Sequence, residues 1–383
     1  MPLSRAAGRV LAAPLLSPED HPTFARASMD GFAVRASDTF GAGEGLPAYA
    51  KVVGSVAMGR TPGRAIGPGE AMEAWTGGAM PDGADAVVMI EHTERSGDTI
   101  EIVRPVGVGE NVLRAGDDVR RSDLLVGNDR RLRAADLAIL AAVGAGDVVV
   151  RRRPKVAVLS TGDELVSADD VPGPAQVRDV NAVALAAQIE RAGGEPVMRG
   201  IVRDDLDLLL GATRAALADA DMVLLSGGSS AGARDHTAEV LGSLGPPGVL
   251  AHGIAVAPGK PTILAAAGTK PLIGMPGYPV SSLVIFELFV SGLVERLSGV
   301  AEPPEPFGRR VRATLGKQIA SKPGREDWVR VTLATDAGRL VATPVRGGTA
   351  VLSSITRADG FVRVAMNEEG LGAGSEVEVA LWP

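Results

Sequence analysis

K-V-A-V-L-S-T-G-D-E-L, residues 155–165, is the stretch whose reading decides the fold. A short apolar run opens directly into a turn carrying Ser160, Thr161, Gly162, Asp163 and Glu164, the pattern of a buried strand ending in a polar loop. The pattern recurs downstream. Gly200-Ile201-Val202 leads into Arg203-Asp204-Asp205, and D-M-V-L-L at 221–225 leads into S-G-G-S-S-A-G-A-R-D at 226–235. Residues 179–192 and 206–218 lie between these strands and repeat apolar side chains at three- and four-residue spacing, which predicts helices. Strands alternating with helices of this length predict a parallel sheet with right-handed crossovers. Ligands of such sheets sit at the carboxyl ends of the strands. Two further turns, P-G-K-P at 258–261 and M-P-G-Y-P at 275–279, each follow an apolar run and are assigned to the same edge.

Outward from this block the texture changes in both directions. Residues 16–114 read as a β-rich insert of short runs punctuated by glycine and proline. Residues 85–92 and 99–103 are expected to pair as a hairpin across Ser96-Gly97-Asp98. Residues 1–15 resemble the tail of a helix followed by an extended arm; with residues 115–153, which include a helix at 134–143, they form a linking part. Arg151-Arg152-Arg153-Pro154 reads as a solvated boundary, after which the α/β part runs from 154 to 301. Pro303, Pro304 and Pro306 open an all-β part at 302–383, with strands expected at 309–315, 327–333, 340–344, 360–365 and 376–381.

Composition narrows the function classes. With 383 residues the chain can bury a sizeable core. A net charge of −7 argues against a nonspecific nucleic-acid or anionic-membrane binder. The absence of cysteine excludes disulfides, thiolate metal sites and thiol catalysis, and is consistent with a reducing compartment. The four histidines, His21, His92, His236 and His252, show no metal-ligand spacing. The amino end has no signal-like segment, and the apolar helix expected at 280–297 is interrupted by Ser281, Ser282, Glu287 and Glu295. A cytoplasmic protein is the expectation.

The strand-end residues suggest anion chemistry. Glycines after Ser226 allow backbone N–H groups to face an anionic oxygen. No Gly-Lys-Ser/Thr follows, so this is not a P-loop; a plain Gly/Ser loop is the competing reading. Glu164, Asp204 and Asp235 fall in three separate strand-end turns. Carboxylates beside a phosphate nest call for a cation between them, and magnesium suits that place. Helix capping is the competing reading for Asp204, Asp205 and Asp235. Lys260, held between Pro258-Gly259 and Pro261, offers either a fixed positive charge or an ordinary surface lysine.

Taken in series, S-M-D-G-F-A at 28–33, T-G-G-A-M-P-D-G-A-D at 76–85, N-V-L-R-A-G-D-D at 111–118, S-T-G-D-E-L, R-D-D, S-G-G-S-S-A-G-A-R-D, P-G-K-P and M-P-G-Y-P resemble the molybdopterin molybdenumtransferase family, which includes MoeA and the gephyrin E domain. The resemblance spans nearly the whole chain. It implies a multidomain, elongated α/β plus β subunit: the linking part, the β-rich insert, an α/β domain like those of the molybdopterin adenylyltransferases, and a barrel-like carboxyl domain. It further implies a homodimer with a shared active site, and magnesium-dependent insertion of molybdate into adenylylated molybdopterin with release of AMP. A molybdopterin adenylyltransferase is the implied upstream partner.

By matched motif, Glu164, Asp204 and Asp235 would carry the metal and phosphate chemistry, with Asp30, Thr76 and Asp118 reaching in from the second protomer. Ser226, Gly227, Gly228, Ser229, Pro276, Gly277 and Pro279 would line the pterin phosphate site. Lys260, Arg330 and Thr349 would serve the molybdate oxyanion. The chain departs from the family where basic residues usually precede P-G-K-P, having Gly253 and Ala257, and where asparagine is usual, having Tyr278. Arg234 and the absence of a helix before A-G-R-V-L-A are further departures. The alternatives are an adenylyltransferase using ATP, or a catalytically weak paralogue that holds molybdopterin or a protein.

Overall fold

Gly31 lies so close to the next strand that a Cβ there would stand 1.9 Å from the Val88 carbonyl oxygen, and the first sheet is assembled around that approach. Its strands are β1 (Gly31–Val34), β2 (Ala48–Ser55), β3 (Glu70–Ala74), β4 (Ala86–Met89), β5 (Thr93–Ser96) and β6 (Thr99–Ile102). They lie in the order β4-β1-β3-β2-β6-β5. Phe32, Val34, Val88, Ile100 and Ile102 fill its core. The hairpin expected from residues 85–92 and 99–103 is displaced. β4 pairs with β1, a single 3-10 turn at Ile90–His92 follows, and the hairpin joins β5 to β6 across Gly97. Burial explains the difference: Ala86, Val87 and Val88 are fully enclosed, whereas β5 is mostly exposed and serves as an edge.

The computed structural model describes residues 1–227 and 236–383. The chain divides into two compact units, one of Met1–Ala7, Leu11–Asn128 and Leu132–Val149, the other of Gly8–Val10, Asp129–Arg131 and Val150–Pro383. The first unit also holds helix α1 (Ala134–Ala142) and, near the amino end, only one 3-10 turn at Leu3–Arg5.

In the second unit the motif-bearing stretch forms β7 (Lys155–Thr161), α2 (Val180–Arg191), β8 (Glu195–Val202), α3 (Leu206–Asp219), β9 (Met222–Ser226), α4 (His236–Gly242), β10 (Pro247–His252), β11 (Ile263–Ala267) and β12 (Lys270–Met275). Sheet order is β8-β7-β9-β12-β11-β10. The first four strands are parallel, as expected. The last two are antiparallel, because residues 268–269 join β11 to β12 too tightly for a crossover. The period-two alternation of the strands sends Val156 and Val158 into a core with Leu185, Ile189 and Ile285. It sends Ala157 and Leu159 into a second core with Leu209, Ala216 and Val240. Three layers result.

The apolar helix begins as α5 (Pro279–Ile285), passes through a π turn at Phe286–Val290, and continues as α6 (Ser291–Leu297). Beyond it, β13 (Arg310–Leu315), β14 (Glu326–Asp336), β15 (Arg339–Pro344), helix α7 (Ser353–Thr356), β16 (Gly360–Val364) and β17 (Glu376–Leu381) follow. The five strands close, because β14 pairs with both β15 and β16. A two-residue strand, Val256–Ala257, extends this barrel in parallel with the start of β14. Among the described residues no helix is long and apolar enough to cross a membrane.

Candidate active site

The sheet register sets the turns of β7 and β8 side by side, since Thr161 is opposite Val202. The Asp163 carboxylate accepts the Asp204 N–H at 3.4 Å across that gap. Asp205, not Asp204, caps α3, accepting the Leu208 N–H at 3.0 Å. Capping therefore falls to Asp205 and leaves Asp204 exposed. Glu164 folds its carboxylate back over Gly162, whose absent Cβ would stand 2.6 Å from Oε2. Two hard, exposed carboxylates on neighbouring turns suit magnesium, which typically takes one or two protein carboxylates and leaves the rest to phosphate and water. Among the described residues no three acidic or imidazole groups gather tightly enough to cage a metal by themselves. Asp235, the third member of the expected set, lies outside the described residues, as do Gly228 and Ser229.

The next turn is built by close backbone approach. Gly227, at φ +101°, would place a Cβ 2.1 Å from the Thr161 carbonyl oxygen, so only glycine fits without a shift. Its N–H reaches the Met275 carbonyl at 3.4 Å. Gly277 lies directly against it, its absent Cβ 3.8 Å from the Gly227 Cα. The turns after β9 and β12 thus meet at Gly227 and Gly277. Pro279 takes the first helical position of α5. One residue escaped notice in the sequence: Asn181, in the first turn of α2, donates its two amide hydrogens to Ser226 Oγ at 3.0 Å and to the Gly277 carbonyl at 2.9 Å.

Lys260 reaches the same edge by a different route. Its turn precedes β11 rather than ending a parallel strand, and β11 starts opposite Gly274, near the end of β12. The backbone is pinned on both sides, with Ile254 N–H on the Lys260 carbonyl and Thr262 Oγ1 on the Gly259 carbonyl. Val256–Ala257 runs parallel to Glu326–Asp327, so both chains head the same way, one toward Lys260 and the other toward Arg330. The Arg330 guanidinium donates to the Gly347 carbonyl at 2.6 Å and to Ser354 Oγ, and Thr349 follows in the same loop. Among the described residues it has no carboxylate partner, and burial alone pulls its pKa below the usual arginine value. A half-buried cation answered only by neutral oxygens is prepared for an anion. Ser354, fully buried in α7, is a second residue that sequence reasoning missed.

In the first unit Asp30 accepts the Thr76 N–H at 2.8 Å and the Thr76 hydroxyl at 2.7 Å. These two bonds, the backbone one first, hold its carboxyl below the usual carboxylate range. Asp118 lies 4.0 Å from His21 Nε2.

Three family models cover the chain in sequence: the MoeA N-terminal region (domain I and II) over residues 1–144, a probable molybdopterin binding domain over 157–296, and the MoeA C-terminal region (domain IV) over 312–382. The chain belongs to the MoeA family. A molybdopterin molybdenumtransferase of Nostoc sp. is 39% identical over 312 residues, 80% of this chain and 71% of that protein. A putative molybdopterin biosynthesis protein of Methanocaldococcus jannaschii is 32% identical over 385 residues, 98% of this chain and 90% of that protein. A crystal structure of the MoeA protein of Pyrococcus horikoshii matches all of this chain and 94% of its own at a TM-score of 0.84 and 29% identity. This MoeA chain keeps the glycine-built turns and the acidic turns together at one sheet edge.

Proposed function

We propose that this chain is a molybdopterin molybdenumtransferase of molybdenum cofactor biosynthesis, inserting molybdate into adenylylated molybdopterin with release of AMP. The observation that carries this reading is the placement, within one unit, of a glycine-built turn at Gly227 and Gly277 beside the acidic turn of Glu164 and Asp204. One arrangement suits a phosphate and the other the cation that a diphosphate requires. In this reading Ser226, Gly227 and Gly277 seat the pterin phosphate, and Glu164, Asp204 and Asp235 hold magnesium, which when bound would neutralise and polarise the scissile phosphoanhydride. Lys260, Arg330, Ser354 and Thr349 hold the molybdate oxyanion. The protein's work is orientation: two anions that repel each other are fixed within reach, and the dithiolene of the substrate supplies the sulfur ligands that a cysteine-free chain lacks.

The same reading includes a cytoplasmic homodimer fed by a molybdopterin adenylyltransferase. Asp30, Thr76 and Asp118 would complete the site of the opposite protomer. The division into linking part, insert, α/β domain and barrel domain also belongs to it. The test is AMP release from adenylylated molybdopterin in the presence of magnesium. Release that depends on molybdate and disappears in Asp235→Asn supports the transferase; pyrophosphate from ATP and molybdopterin would instead identify an adenylyltransferase.

A further inference from the structure

We infer that Asn181 is a positioning residue that locks the two phosphate-binding turns to each other and aims their donors at the substrate; this rests on the reading just given. Asn181 is 8% exposed and is held in place by the cap beneath it, where Asp179 accepts the Ala182 N–H at 3.0 Å. Both hydrogens of its Nδ2 are committed, one to each turn. Ser226 and Met275 are the last paired residues of β9 and β12. Beyond them the ladder ends, and the side chain of α2 takes over the task of tying the strands together.

Two consequences follow from donor and acceptor geometry. Ser226 Oγ accepts from the amide, so its own proton points away from Asn181 and is available to an anionic oxygen. The Gly277 carbonyl is tied back toward α2, and in a trans peptide the following N–H, that of Tyr278, faces the opposite direction. One amide group thereby presents two donors outward. Among the described residues Asn181 Oδ1 is itself buried with no partner, as is the hydroxyl of Ser160. Ser160 is opposite Ser226 in register, and the alternation of β7 puts it on the same face as Val156 and Val158, toward α2.

The experiment uses full-length protein and titrates molybdopterin, followed by its own fluorescence, into wild type, Asn181→Ala and Asn181→Asp. Affinity falls about tenfold in the alanine variant, the scale of two lost hydrogen bonds. It falls further in the aspartate variant, which is the same size but presents acceptors where donors are needed. The Michaelis constant for molybdate and the rate at saturation change less than about threefold, a scale well below the tenfold loss. Combining Asn181→Ala with Ser226→Ala gives less than the product of the two losses, because one acts through the other. Should Asn181→Ala fail to fold, Asn181→Ser keeps one donor and gives an intermediate loss. A folded variant with wild-type molybdopterin affinity overturns the inference, as does an equal loss toward molybdate, which would indicate general damage. A wild type that binds molybdopterin but releases no AMP overturns the transferase reading and leaves the Asn181 titration standing; one that does not bind molybdopterin overturns both.

Discussion

At the scale of single residues, two positions carry sharp expectations. Asp30 is exposed, yet its two bonds from Thr76 hold its carboxyl below the ordinary value of 3.8. A carboxyl depressed in the folded state contributes stability above its ordinary pKa and loses it as pH falls through the lower folded value. The Thr76 pair therefore persists at all pH values above about 4 and opens only in stronger acid. Carbon-13 titration of Asp30 places the midpoint under 3.8, and Thr76→Val moves it upward. A midpoint equal in the two proteins would dismiss the pair. Gly227→Ala forces a Cβ to within 2.1 Å of the Thr161 carbonyl at a φ of +101°. It costs at least about 1–2 kcal/mol in urea denaturation and disables molybdopterin binding. Such residues were legible because each lies in a motif of the family resemblance; their types alone left turn chemistry open. Asn181 and Ser354 were not, since an asparagine in a first helical turn and a serine among serines look like ordinary capping and surface choices.

At the scale of elements, the alternation of apolar runs and helical periods gave the parallel core, and the helices expected at 134–143, 179–192 and 206–218 fall within two residues of expectation, whereas α7 was not foreseen. One difference was physical. The hairpin expected between residues 85–92 and 99–103 instead joins 93–96 to 99–102, because alternation alone does not say which runs are neighbours. The arginines at 151–153 are exposed, as read, and Arg152 also forms a two-pronged surface pair with Asp221, 2.6 Å for each prong, while Asp221 accepts the Lys155 N–H. Glu287 was read as an interruption of an apolar helix. It is instead 3% exposed in the π turn, accepting from Gln188 Nε2 at 2.7 Å and pairing with Arg191. Glu287→Ala strands both donors, and because Arg191 is partly exposed the cost is about 2 kcal/mol rather than the larger figure of a fully enclosed pair. Glu287→Gln retains an acceptor and costs roughly half as much. Urea midpoints that do not separate the two variants would remove the network from the account.

At the scale of the molecule, the second unit is one compact body whose α/β and barrel parts share a hydrophobic cluster. The Phe307 ring packs at a tilt against Trp328, at 4.9 Å between centroids, and against Phe361, at 4.8 Å, and Val280 and Val284 of α5 pack into that cluster together with Ile355 of α7. The helix that begins at the Gly277 turn and the loop that holds Arg330 are therefore braced by the same aromatic rings. Trp328→Ala removes one large ring of the cluster and costs about 3–4 kcal/mol. Its effect reaches beyond stability. With α5 no longer seated, both the molybdopterin turn and the Arg330 loop lose their support, so affinity for the pterin and for molybdate should fall together. Trp328→Phe fills most of the space and keeps both. Conversely Arg330→Ala, which leaves the aromatic cluster intact, weakens molybdate alone. Parallel titrations of the three variants with molybdopterin and with molybdate decide the matter. If Trp328→Ala weakens only one of the two ligands, the barrel and the α/β sheet do not share a brace, and the two anion sites are supported independently.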